Sequence, residues 1–331
     1  MSCMRKARGG YAPTLASDIH AHIIPRPVVA AAASGKPWHG VSIERSADGS
    51  LEGRSPRGAF DLPGWSGSGE TIEERVRRMD ELRVTHHVLS VTPSLFCYEL
   101  DPPTASAMAA DMNDDLAEIA QSMPARFSAL AFLPLQDGDA AIRELERTAA
   151  QPGMVGVSAG THVNGIDWDA PALFPILEAI ESSGQMLFLH PANRRPDPRM
   201  QRYHLMNLIG NPLETTFAIA SFIFGGVIDR LPELRVCFAH GGGFATLGIG
   251  RFDHGHGVRA EASAAAADLP SDYLRRLHFD SITHNERTLR YLVDLVGPSQ
   301  VVMGSDYPAD MGVADPVGFI DGCASLFRRI I

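Results

Sequence analysis

Short apolar runs rich in β-branched residues, bounded by Gly, Pro or Asp, recur eight times along the chain. They cover 14–20 (TLASDIH), 84–92 (VTHHVLSVT), 127–134 (FSALAFLP), 154–159 (MVGVSA), 186–190 (MLFLH), 234–240 (LRVCFAH), 277–283 (LHFDSIT) and 300–306 (QVVMGSD). Between them lie longer stretches such as TIEERVRRMDEL, ASAMAADMNDDLAEIAQSM, AAIRELERTAA and APALFPILEAIESS. The short runs read as strands and the longer stretches as helices. Alternation at this spacing predicts an α/β fold, a parallel (β/α)8 TIM barrel, as one domain over 1–331. The competing arrangement is an open doubly wound sheet, but no G-x-G-x-x-G opens a helix after the first strand.

One stretch breaks the rhythm. Residues 27–68, rich in Gly, Pro, Ser and Arg and carrying Trp38 and Trp65, follow the first strand and precede the next helix. A segment of this length at a strand C-terminus reads as an insertion or lid beside the face where barrel sites are built.

Composition narrows the chemistry. The excess of 39 acidic over 29 basic residues makes the surface repel phosphates and anionic membranes, which argues against a nucleic acid partner. Cys3, Cys97, Cys237 and Cys323 form no C-x-x-C pair and are expected as reduced thiols. The N-terminus has no apolar run of signal-peptide length and nothing later approaches a membrane span, so a soluble, cytoplasmic protein is expected. The only lysines are Lys6 and Lys36, neither in a barrel-like run. Schiff-base chemistry and a carboxylated-lysine bridge between two metals both need a lysine at the site.

The histidines supply the positive signal. His20 and His22, two apart at the end of the first run, project to the same side of a strand. Alone they could be two interior imidazoles bonded to backbone. However, the fifth run ends in His190, the sixth in His240 and the eighth in Asp306. In a barrel these ends converge on one face, and imidazoles with one carboxylate suit zinc or a similar ion. We assign His20, His22, His190 and Asp306 as ligands of one divalent ion. His240 is left to move protons beside Asp306, which belongs to both the ligand and the catalytic set. The alternative makes His240 a ligand of a second metal, and the missing lysine disfavours it. Gly241, Gly242 and Gly243 either let backbone approach a ligand or make a tight turn. Asp18 reads either as a partner orienting an imidazole or as an ordinary capping or loop carboxylate. His162 is a candidate pocket residue, whereas His86, His87, His254 and His256 read as surface or satisfied core residues.

The motifs DIHAHIIP, GTHVNGIDWDA, FLHP, NPLETTFAIASFIFGGVIDRLPELRVCFAHGGG and MGSDYP follow one another in order. In these the chain resembles the amidohydrolase-superfamily decarboxylases of the 2-amino-3-carboxymuconate 6-semialdehyde decarboxylase type, from about residue 17 to 312. The resemblance implies a zinc-dependent carboxy-lyase without an organic cofactor, whose ligands match His20, His22, His190 and Asp306 and whose catalytic histidine matches His240. It further implies a homodimer in which Arg251 reaches the neighbouring site to hold a substrate carboxylate. A second substrate arginine matches Arg57, with Arg54 as the alternative. Ala192 stands where the namesake enzyme has a tryptophan, and Ala309 where an aromatic residue is expected. The implied substrate is therefore a class: aromatic or heteroaromatic ortho-hydroxy or amino carboxylates, or carboxymuconate semialdehydes from ring degradation. A hydrolase or hydratase using the same ligands is the alternative activity.

Overall fold

The computed structural model describes residues 16–46, 51–56, 58–62, 70–192 and 197–323. Eleven strands are found among them: β1 (Ser17–Ile23), β2 (Ser42–Arg45), β3 (Leu51–Ser55), β4 (Gly58–Leu62), β5 (His86–Val91), β6 (Phe127–Phe132), β7 (Met154–Gly160), β8 (Met186–His190), β9 (Val236–Phe238), β10 (His278–Asp280) and β11 (Val301–Val302). Eight of them form one sheet in the order β1-β5-β6-β7-β8-β9-β10-β11, with every neighbouring pair parallel. The ring closes where the chain after β11 meets β1. Ile19 N–H donates to Met303 O at 3.0 Å, Asp306 N–H to His20 O at 2.8 Å, and His22 N–H to Tyr307 O at 2.6 Å. The predicted barrel is therefore present, with one strand in each of the eight runs.

A strand in such a barrel is apolar on both sides, because one side fills the interior and the other meets the helices. Leu130, Phe188, Cys237 and Ala239 form the inner cluster, with Ile19, Val88, Met186 and Val302 packed against it. The larger cluster lies between sheet and helices and includes Leu89, Val91, Met108, Leu116, Ile176 and Leu289. Helix starts follow local chemistry. Thr71 and Glu74 form a capping box for Ile72–Glu81, and Asp101, Asp137 and Asn285 cap Pro102–Ser122, Gly138–Ala149 and Glu286–Val296. None of the described helices is long and apolar enough to cross a membrane.

The stretch after β1 has more structure than its composition suggests. It opens with helix Arg26–Ser34, ended by Gly35 in the left-handed region, and continues into a three-stranded antiparallel sheet, β2-β3-β4. Ile43, Leu51 and Leu62 give each short strand a buried apolar contact, and Trp38 is buried with its indole N–H donating to Asp111 at 3.3 Å. Ser55 donates to Glu99 at 2.6 Å, tying the small sheet to the loop after β5. Trp65 and Arg57 lie outside the described residues.

A candidate metal centre

Four ligand-type side chains meet at the end of the barrel where the parallel strands finish. One donor atom from each of His20, His22, His190 and Asp306 lies within 4.8 Å of the others, and all four residues are buried. His20 and His22 come from β1, His190 is the last residue of β8, and Asp306 stands four residues beyond β11. Asp306 has φ 62° and His240 φ 56°. Neither can extend a strand with such backbone, so the sixth and eighth runs leave the sheet earlier than their apolar pattern suggests.

Hydrogen bonds to the outer ring nitrogens fix how the three imidazoles face. His20 Nδ1 donates to Asp280 Oδ2 at 2.7 Å and His190 Nδ1 to the Pro191 carbonyl at 3.0 Å, while His22 Nδ1 shares a hydrogen bond with Ser90 Oγ at 3.0 Å. With the outer nitrogens engaged in this way, each Nε2 faces inward and offers a lone pair once it carries no proton. The Nε2 atoms of His20 and His22 are 3.0 Å apart, and each lies close to Asp306 Oδ1, at 3.2 and 3.1 Å. His190 Nε2 is buried with no hydrogen-bond partner among the described residues. Three inward-facing Nε2 atoms beside one carboxylate, one of them an orphan, are what a divalent cation requires of its donors.

The electrostatics agree. Burial opposes charge on His20, but Asp306 and Asp280 outweigh it and push the imidazole up to about 10. Burial and the neighbouring imidazoles of His20 and His240 hold His190 well below its ordinary range. Asp306 is held well below the usual carboxylate range because His20, His22 and His240 more than offset its burial. The pocket thus sets two buried carboxylates against a proton on His20, in the place a binding cation would take.

His240 follows β9 by two residues, and its Nε2 lies 3.6 Å from Asp306 Oδ2. Its ring is 4.9 Å from that of His190 and 5.3 Å from that of His20, centroid to centroid. His240 therefore borders the cluster on Asp306's free side. From the helix layer, buried Arg75 donates to the His22 carbonyl at 2.8 Å and stacks over the Tyr307 ring at 4.9 Å, bracing both sides of the closure.

Other residues singled out from the sequence fall elsewhere. Asp18 does not orient an imidazole. It accepts the His20 backbone N–H at 3.0 Å and the Ser305 N–H at 3.1 Å, so it latches β1 to the chain before Asp306. His162 is buried in the turn after β7, where its Nδ1 accepts the Gly165 N–H at 3.0 Å and its Nε2 lies 3.7 Å from Glu214. His87 is buried beside Asp18 at 3.7 Å, His86 pairs with Ser128 at 2.9 Å, His256 donates to Ala266 O at 3.0 Å, and His254 is exposed. Arg251 is exposed on helix Ala245–Val258, and Arg54 is exposed on β3 with Glu52 at 3.7 Å. Asp280 and Ser90, which set two of the imidazoles, escaped the sequence reading. Asp280 lies in the middle of the run 277–283 and becomes a strand end only because β10 stops at it.

Comparison with known proteins agrees with this geometry. The model of the amidohydrolase family matches residues 17–324, and the chain belongs to that family. Several of the proteins it resembles are decarboxylases. It is 40% identical to the 2-amino-3-carboxymuconate-6-semialdehyde decarboxylase of Dictyostelium discoideum over 248 residues, 75% of this chain and 69% of that one. Among solved structures it is similar to the 5-carboxyvanillate decarboxylase of Sphingomonas paucimobilis, with a TM-score of 0.75 and 28% identity, covering 96% of this chain and 100% of that one. A 5-carboxyvanillate decarboxylase of Novosphingobium aromaticivorans, solved with manganese and 3-methoxy-4-hydroxy-5-nitrobenzoic acid, matches with a TM-score of 0.68 and 25% identity over 75% of this chain and 74% of that one.

Proposed function

We propose that the chain catalyses a metal-dependent, non-oxidative decarboxylation without an organic cofactor, with one divalent ion held by His20, His22, His190 and Asp306. The observation that carries this is the uniform facing of three buried imidazoles, each with its outer nitrogen bonded away and its Nε2 toward Asp306. A divalent ion held there polarises a coordinating oxygen and lowers the pKa of bound water. Three imidazoles and a carboxylate suit zinc, our assignment, and the manganese in the Novosphingobium relative makes manganese the ion to compare with it.

The protein's own groups divide the remaining work. His240, beside Asp306, is placed to deliver a proton to the carbon that loses carbon dioxide, or to take one from a water. Asp306, bordering both the Nε2 pair and His240, holds the proton-bearing imidazole in orientation. The substrate class follows the relatives named as decarboxylases: an aromatic or heteroaromatic acid with an ortho hydroxyl or amino group, or a carboxymuconate semialdehyde. Arg251 is our substrate arginine, supplied across a homodimer. Phe244 and Leu247, 42% and 62% exposed, precede it at spacings that place all three on one side of the helix, next to the turn carrying His240. An arginine fork suits a carboxylate held from outside the barrel. Arg57 is the second substrate arginine we propose, from the segment after β1.

The test pairs metal content, measured by plasma mass spectrometry on wild type and His22→Ala, with carbon dioxide release over a panel of hydroxylated and aminated aromatic acids. About one ion per chain, lost in the variant, with gas evolved from a panel member, is the expected result. A bound ion with hydrolysis or hydration in place of gas would transfer the chain to the water-activating members of its family. No bound ion would refute the reading.

A further inference from the structure

Asp280, the last residue of β10, is fully buried and accepts four hydrogen bonds. Its Oδ2 takes the His20 ring Nδ1–H at 2.7 Å and the His240 backbone N–H at 2.9 Å. Its Oδ1 takes the backbone N–H groups of Gly241 at 2.9 Å and Ile282 at 3.0 Å. A carboxylate offers about four lone-pair sites, so this one is saturated, and each donor would lose its acceptor if the group changed. The donors belong to two different parts of the site. One is a ring of the four-donor cluster, and two are the peptides of the turn that carries His240.

That turn needs an anchor. His240 and the three glycines after it have φ of 56°, 60°, 78° and 61°, four successive residues in the region that L side chains avoid. A histidine held there costs roughly 1–3 kcal/mol and persists only where its surroundings fix it. Two peptide N–H groups bonded to one buried carboxylate supply that fixing.

We infer that Asp280 is a positioning residue that sets both halves of the site at once, holding His20 as the Nδ1–H tautomer with Nε2 aimed at the metal and holding the left-handed turn that brings His240 to Asp306. The inference rests on the metal-site reading above and goes beyond it, because it makes the first ligand and the proton carrier depend on one carboxylate that touches neither the metal nor the substrate. Nothing in it needs Asp280 to change protonation.

Asp280→Asn is the decisive variant. The amide keeps the shape but replaces one acceptor oxygen with an N–H group, so in either orientation two of the four donors face a donor. Zinc affinity, measured by competition with a chromophoric chelator, is expected to fall about 10–100-fold. In the zinc-saturated variant, kcat for carbon dioxide release should fall at least about tenfold with KM nearly unchanged. Unchanged affinity and kcat would overturn the inference. Should the variant not fold, the tautomer is read on zinc-loaded wild type by nitrogen-15 correlation of labelled histidines, with His20 assigned by loss of its signals in His20→Asn. A protonated Nδ1 supports the inference, and a protonated Nε2 overturns it. A wild type that binds no zinc would instead overturn the metal-site reading, so the two failures are distinct.

Discussion

Gly304→Ala is a one-methyl change aimed at a close approach between β1, β10 and the chain after β11. A Cβ at position 304 would sit 2.9 Å from Asp280 Cβ and 3.0 Å from His20 Cβ. Ordinary carbon contacts lie near 3.5–4.0 Å, so about 0.5–1 Å must be found on each side. Neither neighbour can find it by rotating a side chain, because a Cβ moves only with its backbone. The overpacking penalty for one added methyl in a tight interior is about 1–3 kcal/mol. Spread over 331 residues at about 2.1 cal/mol/K each, an unfolding entropy near 0.7 kcal/mol/K turns that into a Tm loss of only about 1.5–4 °C. The same displacement separates His20 from Asp280 and from its partners in the cluster, and a 1 Å misplacement at a reacting centre costs about 100-fold in rate. The expected signature is therefore a folded protein, slightly less heat-stable, with carbon dioxide release and zinc affinity each reduced by one to two orders of magnitude. Thermal unfolding, chelator competition and gas release on one preparation check it. A variant with activity within threefold of wild type would refute the claim that β1, β10 and the chain after β11 meet here without slack.

Other expectations follow from other contacts. Because Asp306 and Asp280 hold His20 up to about 10, its Nε2 is protonated at neutral pH, and a binding cation must expel that proton. Calorimetric zinc titration in buffers of different ionisation enthalpy should show about one proton released per ion at pH 7 from this group, fading as pH rises through 10; no release at pH 7 would contradict the charge distribution. Mixing His22→Ala with Arg251→Ala, each inactive alone, should restore about a quarter of wild-type activity if Arg251 crosses a two-fold dimer: half the dimers are mixed, and each holds one complete site. No recovery after verified subunit exchange would place Arg251 in its own protomer's site or in none. Asn113→Ala should destabilise the fold by roughly 2–5 kcal/mol in urea unfolding, because fully buried Asn113 serves both the N–H and the C=O of Phe132 at 2.8 Å and donates to Glu144 at 2.6 Å. A cost under about 1 kcal/mol would mean that these groups find water.

What could be read from the chain divides along a physical line. The barrel strands were legible because both of their sides are apolar, and a run such as MLFLH has no other economical place in a soluble fold. The small sheet after β1 was not, since SIER, LEGRS and GAFDL each bury about one apolar side chain and owe their pairing to neighbours brought in by the rest of the fold. His20, His22, His190 and Asp306 stood out as polar residues at the ends of apolar runs. Asp280, inside the run 277–283, did not stand out, and its meaning lies in contacts 40 residues back to His240 and 260 residues back to His20, which no spacing encodes. Asp18 shows another case: its position two residues before His20 allowed either an imidazole partner or an ordinary loop carboxylate, and its bonds run to the His20 N–H and, across the barrel seam, to Ser305. That seam joins fold and site. The bonds closing the ring, from Asp18 to Ser305, Asp306 to His20 and His22 to Tyr307, involve the ligand residues themselves or their immediate neighbours. Two of the four candidate ligands come from the first strand and one from the chain after the last, so a cation held among them bridges the two ends of the barrel. Its binding energy is then spent in part on closing the barrel, and stability and metal affinity become two readings of the same contacts.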